Sequence, residues 1–119
     1  MEHTNQPRIF QILNEEALEI QHSPFGSVGN IFSGEGVEAV WVKKQSEKID
    51  PDWFSQPMVD LIVVLKGKLR LEFEQNDLEP CVLEQGDLLV LQPGTRCRAY
   101  SWPRDSEESA VFLAVYPKN

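Results

Sequence analysis

A chain of 119 residues, 41% hydrophobic and 25% charged, is sized for one domain over residues 1–119 with a core of its own. Its formal charge of −8 speaks against nucleic acid, whose phosphates are held by clustered Lys and Arg, and against the anionic face of a membrane. No stretch approaches the roughly 20 apolar residues of a membrane span, and residues 1–11 lack the apolar core of a secretory signal. With Cys81 and Cys97 outside any CxxC spacing, the expected compartment is the cytoplasm and both thiols are expected reduced.

In chain order, Asn14–Ile20 is the one stretch suited to a helical turn or two, with Asn14 as N-cap, while Arg8–Leu13 equally suits an edge strand. Ser23–Gly36 holds four glycines and a proline and reads as irregular connection or short strands. From there the chain runs in short apolar bursts: Val37–Val42, Leu61–Leu65, Leu69–Glu74 with strict period two, Cys81–Leu83, Leu88–Leu91, Arg98–Tyr100 and Ala110–Tyr116. Between them stand Lys66-Gly67-Lys68 and Gln75-Asn76-Asp77, each able to turn a hairpin, and the tight-turn signals Gln85-Gly86-Asp87 and Pro93-Gly94-Thr95. Such a pattern predicts an all-β sandwich or barrel, and periodicity alone does not choose between them.

Specific residues do. Asp60–Gly67, followed by Leu83-Glu-Gln-Gly86-Asp87 and Gln92-Pro93-Gly94-Thr95-Arg96-Cys97, resembles the core of a cupin. That family carries G-x5-H-x-H-x3-E-x6-G and then G-x5-P-x-G-x2-H-x3-N. The resemblance implies a single-domain double-stranded β-helix, or jelly-roll barrel, with its core at about residues 37–116 and a short N-terminal helix as an option. Aligned on Gly67, the first motif puts Lys48 at its first glycine, Phe54 and Gln56 at the two histidines and Asp60 at the glutamate. In the second, Gly86 and Gly94 match, Gln92 stands at the proline, Cys97 at the histidine and Ser101 at the asparagine.

The turn-forming glycines are kept and the metal-binding residues are replaced. Phe54 coordinates nothing, Gln56 offers a weak neutral oxygen, and Asp60 with Cys97 falls short of the three or four donors a bound transition metal needs. The chain's two histidines, His3 and His22, lie outside both motifs. No metal and no other cofactor is therefore expected.

By the resemblance, Phe54, Gln56, Asp60, Cys97 and Ser101 face the barrel cavity, with Trp41 and Trp53 as candidates for its rim. Cys97 as a nucleophile would need a nearby cation to lower its pKa, whereas Asp60 would raise it; a small packed thiol is the simpler reading, and Cys81 is read as packing. Arg96, Arg98, Arg104, Tyr100 and Trp102 form a cationic–aromatic cluster on the opposite face of the same strand. Since cupins often dimerise through their sheets, Arg98, Tyr100 and Trp102 are expected at a homodimer interface. The expected activity is metal-independent binding of a small organic molecule in the cavity. Three alternatives stay open: an isomerase or lyase with Asp60 as acid/base, a metal-dependent cupin with atypical ligands, and a dimeric scaffold with no ligand.

Overall fold

The computed structural model of the chain describes residues 7–23, 26–34, 36–45 and 51–118; His3, Lys48 and Asp50 fall outside them. Nine strands follow one another: β1 (Ile20–Ser23), β2 (Gly26–Ser33), β3 (Gly36–Lys44), β4 (Asp60–Lys66), β5 (Lys68–Phe73), β6 (Cys81–Glu84), β7 (Leu88–Leu91), β8 (Cys97–Ser101) and β9 (Ala110–Lys118). They form a six-stranded sheet in the order β1-β2-β3-β9-β4-β7 and a three-stranded sheet in the order β6-β5-β8, every pair antiparallel.

Period-two alternation aims alternate side chains at one shared core. Ile62 and Val64 from β4 and Phe112 and Ala114 from β9 meet Leu69 and Leu71 from β5 and Ala99 from β8, all buried. The apolar burst Leu61–Leu65 thus splits, with Ile62 and Val64 inward and its other members half-buried on the outer face.

Two expected turns carry the chain between the sheets, and the first does a different job from the hairpin read in the sequence. Lys66-Gly67-Lys68 does not close a ladder hairpin, because β4 and β5 belong to different sheets; it carries the chain across the barrel. Gly67 adopts φ +73°, and a Cβ there would stand 2.7 Å from the Ser109 carbonyl oxygen. Gln85-Gly86-Asp87 likewise crosses from β6 to β7, docked on β4 by Gly86 N–H to Val64 O at 2.9 Å and Val64 N–H to Asp87 O at 3.1 Å. The connection around Gln75–Asp77 does join the ladder partners β5 and β6.

Of the two readings of Ser23–Gly36, irregular connection or short strands, the strand reading holds over Gly26–Ser33. This is the eight-residue β2, whose register shifts between Asn30 and Phe32. Glycine weakens a strand signal, but here β1 and β3 pair with both edges and override it. Gly26 is needed for close approach, since a Cβ would lie 2.6 Å from the Lys43 carbonyl oxygen.

At the N-terminus Asn14 caps a three-residue 3₁₀ turn, Glu15–Ala17, its side chain accepting from Glu16 N–H at 3.2 Å. Arg8–Leu13 is not a strand. Instead it lies over the large sheet, held by Trp41 Nε1–H donating to Ile12 O at 3.1 Å and by the Lys43–Glu15 ion pair at 3.0 Å.

Two glycine variants test the account of the crossings. Gly67→Ala combines left-handed strain with a backbone clash and is expected to cost about 3 kcal/mol, against about 1 kcal/mol for Gly86→Ala, whose Cβ meets open space at φ +93°. Urea denaturation of both variants measures the difference; equal costs would remove the close-packed crossing from the account.

Candidate functional site: a cavity in the barrel

Inward positions of facing strands leave part of the barrel unfilled. The cavity has a volume of about 340 Å³ and an apolar wall that includes Ile62, Leu71, Ala99, Phe112 and Ala114. Val28 and Phe54, 45% and 53% exposed, flank its opening. Phe54 is set there by a backbone bridge to β8: its N–H donates to Cys97 O and Cys97 N–H to Phe54 O, both at 2.8 Å. Gly94 N–H to Gln56 O, also 2.8 Å, extends the pairing and brings Gln56 to the cavity wall.

The polar groups at the wall form one cluster. Asp60 opens β4 and is 3% exposed, and its Oδ1 has no hydrogen-bond partner. Burial pushes its carboxyl from 3.8 up to about 6. Cys97 is pushed up to about 11, first by burial and then by the charges of Asp60 and Cys81. Tyr116 rises to about 12, first by burial, then by its hydrogen bond to Glu38 and the charges of Glu38 and Asp60; a hydrogen bond with Gln56 acts the other way. An acid titrating near neutrality can give or take a proton under ordinary conditions. Burial and the neighbouring acid favour the protonated thiol of Cys97, the less nucleophilic form.

Of the residues singled out in the sequence, Phe54, Gln56, Asp60 and Cys97 border this one cavity. Arg98, expected on the opposite face of β8, borders it too, while three residues expected in the cavity or at its rim are not in its lining. Ser101 is buried beyond the lining and donates to Glu108 O at 2.6 Å. Trp41 is not a rim residue: it faces the outer side of the large sheet, 2% exposed under the N-terminal segment. Trp53 does not line the cavity itself; the guanidinium of Arg98, which does border it, is stacked 4.3 Å from the Trp53 ring centroid.

The cationic–aromatic cluster makes contacts within the chain, while Arg98, Trp102 and Arg104 keep part of their surface exposed. Glu72 accepts from Tyr100 Oη–H at 2.9 Å and from Arg98 Nε–H at 3.3 Å. Arg104 covers the Tyr100 ring at 5.3 Å, Arg70 covers Trp102 at 4.6 Å, and Tyr100 is left 3% exposed. The Tyr100 surface expected at an interface is therefore taken up by its own neighbours. Arg96 stands apart, paired with Glu74 at 2.8 Å.

Sequence reasoning missed Tyr116. The signal was present, since Phe112, Ala114 and Tyr116 are spaced by two along a strand and share a face. Glu72, the acceptor that organises the outer cluster, was missed because its cationic partners are distant in sequence.

A transition metal does not fit the donor set. Phe54 replaces one imidazole outright, Gln56 offers only a weak neutral oxygen, and burial with the nearby charge of Asp60 keeps Cys97 protonated. Among the described residues no three His, Cys, Asp or Glu side chains gather where an ion could sit. His22 is an exposed residue of β1, its Nδ1 2.8 Å from Ser27 Oγ.

No protein-family model matches this sequence, and no curated protein matches it. Solved structures do. A conserved protein with a double-stranded β-helix domain from Klebsiella pneumoniae superposes with a TM-score of 0.74 at 16% identity, over 94% of this chain and 90% of that one. An RmlC-like cupin from Shewanella frigidimarina gives 0.71 at 14% identity, over 98% and 96%. KdgF from Halomonas sp. gives 0.67 at 21% identity, over 89% and 94%. The fold is that of the cupins, an RmlC-like double-stranded β-helix. No particular activity comes with it, because one such scaffold hosts many chemistries.

Two measurements test the electrostatics. Asp60 binds its proton more tightly folded (about 6) than at its ordinary value of 3.8, so its contribution to stability falls as pH rises between those values and is level above them. Asp60→Asn is expected to match wild type at pH 4 and exceed it at pH 8 by about 1–2 kcal/mol, or several degrees in Tm. Cys97, raised from 9.0 to about 11, carries roughly a hundredfold less thiolate than an ordinary thiol at pH 8; iodoacetamide labelling followed by peptide mass spectrometry should find it unmodified until the protein unfolds.

Proposed function

We propose that the protein reversibly binds a small organic molecule in the barrel cavity, without a resident metal. The observation that carries this reading is an apolar cavity of about 340 Å³ bordered by a buried carboxyl, Asp60, that has no ion-pair partner among the described residues. A carboxyl in an apolar wall is poorly solvated, and a ligand that supplies a donor to it lowers that cost. Mostly apolar walls with a few placed polar groups are what small-molecule sites have in common, and this cavity lies at the small end of their range.

A second reading has Asp60 as the acid/base of an isomerase or lyase step, favoured by its carboxyl lying at about 6. Such a step also needs a group to steady developing negative charge. Arg98 borders the cavity, but its guanidinium is engaged by Glu72 and Trp53. Binding is therefore the better-supported activity.

A thermal-shift screen of monocyclic compounds tests it. A ligand at a hundred times its Kd stabilises by about 2.7 kcal/mol and raises Tm by several degrees. Val28→Trp, at a half-exposed site beside the opening, should fold and lose the shift. A shift of equal size in Val28→Trp, or none from any compound, would contradict the proposal.

A further inference from the structure

We propose that the cavity selects cationic amines: compact, mostly apolar molecules whose single protonated amine pairs with the Asp60 carboxylate at the cavity wall. This rests on the reading of the cavity as a binding site. Size is the first constraint. A volume of about 340 Å³ holds the equivalent of about ten waters, which suits a ligand of about ten non-hydrogen atoms. The wall is the second, since Ile62, Leu71, Ala99, Phe112 and Ala114 offer only apolar contact, best met by one hydrocarbon ring.

Charge decides the third. The groups facing Asp60 on β4 come from every neighbouring element that borders the cavity. Cys97 on β8 stays a neutral thiol, and Tyr116 on β9 stays a neutral phenol, each held there partly by the negative charge of Asp60. Glu38 on β3 is answered by the Tyr116 hydroxyl and by Lys118 Nζ at 3.9 Å, and Gln56 by Tyr116. The two cations that border the cavity are already engaged: Arg98 with Glu72 at 3.3 Å and over Trp53, and Lys44 with a partner of its own. Asp60 is left as the acid with an unpartnered oxygen, 3% exposed in an apolar wall. A ligand carboxylate would meet like charge there. A protonated amine makes a charge-assisted hydrogen bond in a weakly screened site, the stronger kind.

Three probes of one shape separate the possibilities: benzylamine, benzyl alcohol and benzoate, titrated calorimetrically at pH 7.5 and about 0.15 M salt, where attraction to the protein's net charge is screened. Benzylamine is expected to bind about 10- to 100-fold more tightly than benzyl alcohol, with benzoate weakest. Asp60→Asn, its fold checked by circular dichroism, should bring benzylamine level with benzyl alcohol. An amine preference that survives Asp60→Asn, or benzoate binding as tightly as benzylamine, would overturn the assignment. If benzyl alcohol binds the wild type and benzylamine binds no tighter, the amine assignment falls and the cavity reading stands. If none of the three binds at millimolar concentration, both fall.

Discussion

Small side chains on facing strands set the interior of this barrel. Two sheets bury their inner faces against each other, and one part of the space between them is filled by Val64, Leu69, Leu71 and Leu83. Elsewhere the inward positions include Cys97 and Ala99 on β8 and Ala114 on β9, whose short side chains leave space unfilled. Interiors pack as densely as organic crystals, so empty space of this size marks a place the chain does not fill for itself. The cross-barrel turns at Gly67 and Gly86 hold the two sheets in that relation.

Asp60 draws its character from the same geometry. The first inward position of β4 puts a carboxyl where solvent is scarce, which raises its proton affinity and leaves Oδ1 unsatisfied. Its charge then raises Cys97 and Tyr116, which burial had already raised. One residue thus ties the cost of the cavity in stability to its capacity for recognition. Glu72 handles charge differently on the outer face of the small sheet, where Arg98 and Tyr100 both donate to it.

Much of this was legible in the sequence. The strict alternation of Leu69–Glu74 marked β5, and Gly67, Gly86 and Gly94 at cupin spacing identified the barrel and put Phe54, Gln56, Asp60 and Cys97 round one cavity. The errors have physical causes. Trp41 sits in a strand whose faces both carry apolar side chains, so alternation could not say which was covered, and the N-terminal segment covers the outer one. Ser101 shares the inward face of Cys97, but its position along β8 takes it past the cavity to the Glu108 carbonyl. Gly67 and Gly86 announced turns without saying which sheet the chain would enter next. The glycines of β2 left strand and irregular connection both open, and its two neighbours complete the strand.

The measurement that bears most directly on a cavity built for an organic ligand is the metal content of the protein, purified without a polyhistidine tag and analysed by inductively coupled plasma mass spectrometry. With Phe54, Gln56, Asp60 and Cys97 standing where a metal's ligands would be, less than about a tenth of an equivalent of iron, zinc, manganese or nickel per chain is expected. Close to one equivalent of any of them would contradict the reading, because Asp60 would then be a metal ligand and its oxygen would have its partner.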